Sequence, residues 1–412
     1  MTATARLNRR QLVQASAVPL LAGASLPALG ASAQGNATPA SPSASPASSA
    51  GSLDARIRPL IDPLMKELFV PGVVVLARSG GEEFLEAFGT RELGGDDPVT
   101  TDDHFRIGSN TKTMTGTIVL QLVQEGLLAL TDPVSAYRPD VPNGEHITIA
   151  QLLDMTSGLA SYSFDPQVNR YMDEEPWRTW DPEELVAIGL AAPPLFAPGE
   201  GFFYSNTNTI LLGLIAEKLG GAQLSDLMQQ RLFDPLKLGH TVFPALDDVT
   251  LPDPNPHGYL YGSNVSTIQT TALPLYQQKQ AADGTLLPSD VTWLNPSWMW
   301  AAGSTISTAS DLATYVEALV GGGLLDEALQ AERLASLKVP PGSTDPAAAQ
   351  YGLALAKFGP MIGHDGSLPG YTSFMGHDPE TGNTLIVLAT LQSAPNGKMV
   401  ANGIAKPLID VL

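Results

Sequence analysis

The chain has 412 residues, no cysteine and a formal net charge of −20. The missing thiol removes disulfides, cysteine nucleophiles and thiolate metal sites together. An acid excess with no basic stripe argues against nucleic acid or anionic membranes as partners. With 43% hydrophobic and only 16% charged residues, the chain has enough apolar side chain to bury a sizeable core.

Residues 1–33 carry Arg6, Arg9 and Arg10 and no acid, then a weakly apolar stretch from Ala15 to Leu29, then Ala31-Ser32-Ala33. A charged start, an apolar run too short to span a bilayer and a small-x-small site predict a cleaved export signal. The Arg9-Arg10 pair with Leu12 at +2 resembles a twin-arginine signal, and the ordinary secretory route is the alternative. Residues 34–52, almost all Ala, Ser, Pro, Gly, Thr and Asn, predict a flexible spacer. No later segment has an 18-residue uncharged apolar run, so the expectation is an exported protein with no membrane span after signal cleavage.

The catalytic domain is expected over 53–412. Leu53, Ile57, Leu60, Ile61, Leu64 and Leu68 fall on one helical face. The period then changes: Val73–Ala77, a Ser79-Gly80-Gly81 turn and Phe84–Phe88 read as a β-hairpin. Between Thr111 and Val320 the pattern is mostly helical, at 111–126, 148–155, 182–191, 207–219 and 223–232. Strands return in Gly352–Phe358, Met361–Gly366, and the pair Ser373–His377 and Thr384–Leu391 around the turn at 378–383, with a final helix in 396–412. These elements predict an α/β (α+β) fold. One antiparallel sheet is built from both chain ends, a mostly helical lobe lies within about 125–300, and the cleft between them is the expected place for a site.

Three short motifs carry chemistry. Ser109-Asn110-Thr111-Lys112 opens a helix, placing Lys112 on the face of Ser109; of the chain's lysines, only Lys112 has serine three residues before it. A serine hydroxyl needs a base within hydrogen-bond reach, and a lysine serves when burial and the positive helix end lower its pKa. Tyr204-Ser205-Asn206 opens another helix, and of ten tyrosines only Tyr204 has asparagine at +2. The tyrosine can relay the proton, and the Asn206 amide can bond Lys112 or a substrate amide. Gly363-His364-Asp365-Gly366-Ser367 lies on a strand, where His364 can bind a substrate carboxylate or polarise the relay and Gly366 lets a substrate backbone approach. On a period-2 strand Asp365 points away from His364. Taken singly, each motif also has a purely structural explanation: a helix cap, a packed tyrosine, a core histidine.

Together and in this order, the motifs resemble those of the penicillin-recognising serine hydrolases, most closely the branch of class C β-lactamases and D-alanyl-D-alanine carboxypeptidases, which family VIII esterases and D-aminopeptidases share. Ile149–Leu159, Pro198-Gly199, Pro235–Thr241 and Ala302-Gly303 extend the likeness to about residues 55–410. The resemblance implies that Ser109 is acylated and that Lys112 and Tyr204 manage the proton. Asn206 would position Lys112 and substrate, and the N–H groups of Ser109 and Ser367 would form the oxyanion hole. It implies no metal and no cofactor. His364 and Gly366 stand where β-lactamases carry Lys-Thr-Gly, and this variant moves the expectation to a D-Ala-D-Ala carboxypeptidase or a D-amino-acid peptidase or amidase. The alternatives are a family VIII carboxylesterase, a class C-like β-lactamase and a non-catalytic binding protein. The expected partner is a small-molecule or peptide substrate.

Overall fold

A computed structural model describes residues 51–341, 343, 345 and 348–412. The export signal expected over 1–33 and most of the spacer over 34–52 lie outside the described residues. Helix α1, Leu53–Leu68, packs its buried Leu53, Ile57, Ile61 and Leu68 inward, as their spacing predicts. Strands β1 (Gly72–Ser79) and β2 (Glu82–Gly89) form the expected hairpin. The central helix α2, Thr111–Gln124, is buried on nearly every side. Its threonine hydroxyls are therefore paired internally: Thr113 and Thr117 donate to backbone carbonyls one turn back and Thr115 to the Ala301 carbonyl, each at 2.7 Å.

Helices α3 (Ile149–Leu153) and α4 (Asn206–Gly220) belong to the helical lobe, and α4 packs across α2. The chain then re-enters the sheet through helix α5 (Ala309–Gly321) and strands β3 (Gln350–Tyr351), β4 (Ala356–Phe358), β5 (Met361–Leu368), β6 (Tyr371–His377) and β7 (Thr384–Ala389). It ends in helix α6 (Val400–Ile409). The seven-stranded sheet has the order β2-β1-β7-β6-β5-β4-β3, antiparallel throughout, so β1 pairs with β7 and the two chain ends share one sheet.

Both sheet faces are covered. Val74, Leu76, Met375, Ile386 and Leu388 face the core shared with α2 and α5, while Val73, Val75, Phe374, Leu385 and Val387 face α1 and α6. That explains why β1 and β7 read as unbroken apolar runs rather than alternating ones. Among the described residues, no helix is long and apolar enough to cross a membrane.

One predicted strand is corrected. The apolar run Gly352–Phe358 is not continuous: it breaks between β3 and β4, where Gly352 N–H bonds the Leu355 carbonyl and Ala354 takes a φ of 49°. The Leu353 and Ala354 carbonyls instead accept from the buried Arg333 guanidinium, which also bonds Thr117 Oγ1 and the Thr113 carbonyl on α2. Four acceptors on two segments give this guanidinium the partners its burial demands.

Candidate active site

Ser109 sits on a single 3-10 turn, Gly108–Asn110, that runs straight into α2. The turn is pinned from two sides. Ser373 Oγ on β6 donates to the Ile107 carbonyl at 2.7 Å, and Asn110 Nδ2 donates to that Ser373 oxygen at 2.6 Å. Opposite, Ile107 N–H bonds the Thr305 carbonyl and Thr111 Oγ1 accepts from Thr305 N–H. The turn also presses on β5 without room for a side chain. A Cβ added to Gly108, whose φ is 53°, would lie 2.9 Å from Ser367 N, and one added to Gly366 would lie 2.0 Å from the Ile107 carbonyl oxygen. The two glycines thus bring the nucleophile's turn and the Ser367 backbone nitrogen side by side.

Lys112 Nζ lies 3.0 Å from Ser109 Oγ and donates to the Ala302 carbonyl at 2.8 Å. Ser109 keeps 8% of its surface exposed while Lys112 keeps none. Burial drives the ammonium well below its ordinary value of 10.5, against a weaker pull from Asp365. A lysine so placed is a base for the serine hydroxyl, and activity that depends on it rises with pH through its lowered pKa.

The Tyr204 ring lies over Lys112, with Nζ 4.9 Å from its centroid. Its hydroxyl is buried without a hydrogen-bond partner. Burial holds the phenol well above its ordinary value, with the Ser109 hydroxyl pulling the other way. An orphaned hydroxyl beside the nucleophile is the kind of group a substrate or leaving group would satisfy.

Asn206 departs from its expected contact. Its Nδ2 donates to Ser163 Oγ at 3.1 Å and approaches Met299 Sδ at 3.8 Å, and its Oδ1 has no partner. The second contact to Lys112 is the Ala302 carbonyl, not the Asn206 amide. Asn206 stands at the first turn of α4, where Ser161 Oγ also accepts its N–H, so its free carbonyl oxygen is the atom left for a substrate N–H.

His364 is buried on β5. Its ring centroid lies 6.1 Å from Tyr204 and 5.6 Å from Tyr351. Burial, reinforced by Lys112, pushes it down to about 3, so the ring is neutral at physiological pH. Asp365 turns its carboxyl toward α6, where Asn402 Nδ2 donates to its Oδ2 at 2.8 Å, but its Oδ1 stays 3.5 Å from His364 Nδ1, so the strand period separates the two side chains less than expected.

The structure therefore gathers Ser109, Lys112, Tyr204, His364, Gly366 and Ser367 in one place and sets Asn206 beside them. Four participants escape sequence reasoning: Tyr351, Ser373, Ser163 and the Ala302 carbonyl. Ala302 had a signal, since Ala302-Gly303 is part of the resemblance. Ser163 and Ser373 had none, because a serine that only clamps a turn or an amide leaves no pattern in one sequence.

A buried lysine that sheds its proton costs the fold stability. Below 10.5 the unfolded chain binds that proton and the folded chain does not until pH drops through the lowered value, so stability rises with pH across this window. Lys112→Met is accordingly expected to remove turnover yet stabilise the protein by about 1–3 kcal/mol at neutral pH. The gain shrinks as pH approaches 10.5. Urea unfolding of both proteins at two pH values measures it, and a variant no more stable than wild type at neutral pH contradicts the assignment of a neutral lysine.

A nucleophilic serine, a buried lysine base and a phenol above them, set against a strand edge, define a serine hydrolase that works through an acyl-enzyme. The family model described as Beta-lactamase matches residues 57–406, and the chain belongs to that family, within the serine β-lactamase and penicillin-binding-protein-like superfamily. The chain is 25% identical over 340 residues to penicillin-binding protein 4* of Bacillus subtilis (strain 168), covering 77% of this chain and 67% of that one. It spans about half the length of several other curated relatives it matches. Among solved structures, a D-stereospecific amidohydrolase from Streptomyces sp. superposes with a TM-score of 0.70 at 30% identity, covering 87% of this chain and 96% of the other. A D-amino acid amidase from Ochrobactrum anthropi SV3, complexed with L-phenylalanine, gives 0.73 at 26%, covering 87% and 97%.

Proposed function

We propose that this enzyme hydrolyses amides of D-amino acids, as a D-amino-acid amidase or peptidase or a D-Ala-D-Ala carboxypeptidase, after export from the cell. The observation that carries the substrate reading is the near full-length likeness to a D-stereospecific amidohydrolase and a D-amino acid amidase, together with His364 standing where β-lactamases place lysine.

In this reading Ser109 Oγ attacks the substrate carbonyl and its proton passes to Lys112 Nζ. The oxyanion is met by the N–H groups of Ser109 and Ser367. The proton then reaches the leaving amine through Tyr204, and the carbonyl–nitrogen bond breaks. Water, deprotonated by the same pair, attacks the acyl-enzyme, and Ser109 leaves with its proton restored. Asn206 Oδ1 accepts the N–H of the bound acyl group. Arg9-Arg10 and the small-residue site at 31–33 support export, with the first 33 residues removed as the chain leaves the cell.

The test is direct. Purified protein is given D- and L-phenylalanine amide, a D-Ala-D-Ala peptide, p-nitrophenyl butyrate and a chromogenic cephalosporin. Release of ammonia or D-alanine from the D-substrates, with the L-amide slower, is expected. A hundredfold preference for the ester, about 2.7 kcal/mol, would make the protein an esterase instead, and rapid cephalosporin turnover would make it a β-lactamase.

A further inference from the structure

Tyr351 lies on the short edge strand β3, held by mutual backbone hydrogen bonds with Lys338. It is buried, and its ring stands edge-on to Tyr204, at 5.8 Å and 89°, and to His364, at 5.6 Å and 89°. Its hydroxyl is 3.3 Å from His364 Nε2. On the other side of the imidazole, Nδ1 is 2.6 Å from the Asp365 carbonyl oxygen. A carbonyl only accepts, so Nδ1 carries the hydrogen. Nε2 of the neutral ring is then an acceptor, and Tyr351 donates to it.

Both nitrogens of His364 are thus engaged before any substrate enters. A histidine holds a substrate carboxylate only by offering it an N–H or a positive charge, and this one offers neither. The charged and titratable groups around the ring are Lys112, Asp365, Tyr204 and Tyr351, with Arg333 behind Tyr351. Lys112 is the basic group nearest the ring on the nucleophile's side, and its Nζ already bonds Ser109 and Ala302. The Asp365 carboxyl lies 3.5 Å from Nδ1 and works against a second carboxylate.

We infer that Tyr351 is a positioning residue for His364, and that the pair makes the cleft select acyl substrates with no free carboxylate on the leaving side. The inference rests on the amidase reading and narrows it: the preferred leaving group is ammonia or an uncharged amine, not an amino acid with a free carboxyl group. Burial, which keeps the ring neutral, works in the same direction.

Three measurements test it on the full mature chain. First, a D-amino-acid dipeptide amide and its free acid are compared by kcat/KM. A preference of about tenfold or more for the amide is expected, and an equal or faster free acid overturns the proposal. Second, Tyr351→Phe frees Nε2 to take up a proton. The amide preference is expected to shrink by about threefold at acid pH and to hold at alkaline pH, where the ring stays neutral. A uniform loss on both substrates at every pH marks Tyr351 as packing alone and overturns the proposal. Third, imidazole ¹⁵N spectra of the wild type, with His364 identified by His364→Asn, are expected to show a neutral ring protonated at Nδ1. A cationic ring or the Nε2–H form overturns the proposal, and this arm stands even where the tyrosine variant fails to fold. Should no D-amino-acid substrate be turned over, the amidase reading fails separately. The butyrate esters of phenol and of 3-hydroxybenzoic acid then carry the same comparison, with the uncharged leaving group expected to win.

Discussion

Ser109→Ala is expected to reduce hydrolytic turnover by about 10⁴-fold or more while leaving the fold intact. In the proposed mechanism the hydroxyl is the atom that joins the substrate, and nothing else at the turn can replace it: Thr111 Oγ1 is committed to the Gly108 carbonyl and Ser373 Oγ to the Ile107 carbonyl. Removing one oxygen from a site 8% exposed leaves no cavity worth more than about 1 kcal/mol. Lys112→Ala is expected to fall to the same floor, because serine without its base is as inert as no serine. The double variant should lose no more than either alone, since residues that act as a unit are not additive. Steady-state rates and mass spectra after incubation with a penicillin measure this. Wild type should show either turnover or a mass increase on the peptide containing Ser109, and the Ser109→Ala protein neither. A Ser109→Ala protein that keeps a tenth of the activity would move the nucleophile elsewhere.

The parts of this site that were legible in the sequence are those whose chemistry demands a spacing. Ser109 and Lys112 meet because positions three apart on a helix share a face, and Tyr204 and His364 were marked by motif order. The sheet built from both chain ends was legible for a similar reason: Val73–Ala77 of β1 and Leu385–Ala389 of β7 are unbroken apolar runs, which fits strands covered on both faces. What remained hidden is tertiary. The break between β3 and β4 falls in an apolar run with ordinary strand propensity, and it is made by Arg333, whose guanidinium takes the carbonyls of Leu353 and Ala354 from a distant helix. Nothing local to 352–358 announces that. The resemblance implies that Asn206 positions both Lys112 and substrate, but in the fold the Ala302 carbonyl takes Lys112 Nζ and Ser163 takes the Asn206 amide. Tyr351 was one of ten tyrosines, without a motif of its own, and only the fold of β3 onto β5 brings it to His364.

Gly366→Ala is the substitution expected to damage the site most without touching any catalytic group. The added methyl would sit 2.0 Å from the Ile107 carbonyl oxygen and 2.4 Å from Ser373 Oγ, far inside contact distance. Ser373 cannot simply rotate away, because its hydroxyl holds both the Ile107 carbonyl and the Asn110 amide. The Ile107 carbonyl belongs to backbone pinned on its far side by Thr305. Relief therefore comes from spreading β5 and the Ser109 turn apart, which moves the Ser109 and Ser367 nitrogens, the two proposed oxyanion donors, relative to each other. Misplacing one oxyanion donor costs about 10²–10³ in rate, so kcat should fall by at least about 100-fold. The overpacking itself should cost about 1–3 kcal/mol of stability. Paired kinetics and thermal unfolding separate the two effects, and Gly363→Ala is the control. Its methyl meets the Met375 carbonyl on β6 at 2.2 Å, two residues from Asp365. It strains the same strand by a similar amount but away from the Ser109 turn, so it should lose stability and keep most of its rate. If both variants lose rate alike, β5 supports the site only by its overall integrity. If Gly366→Ala alone loses rate, the close approach of the two backbones is what places the donors.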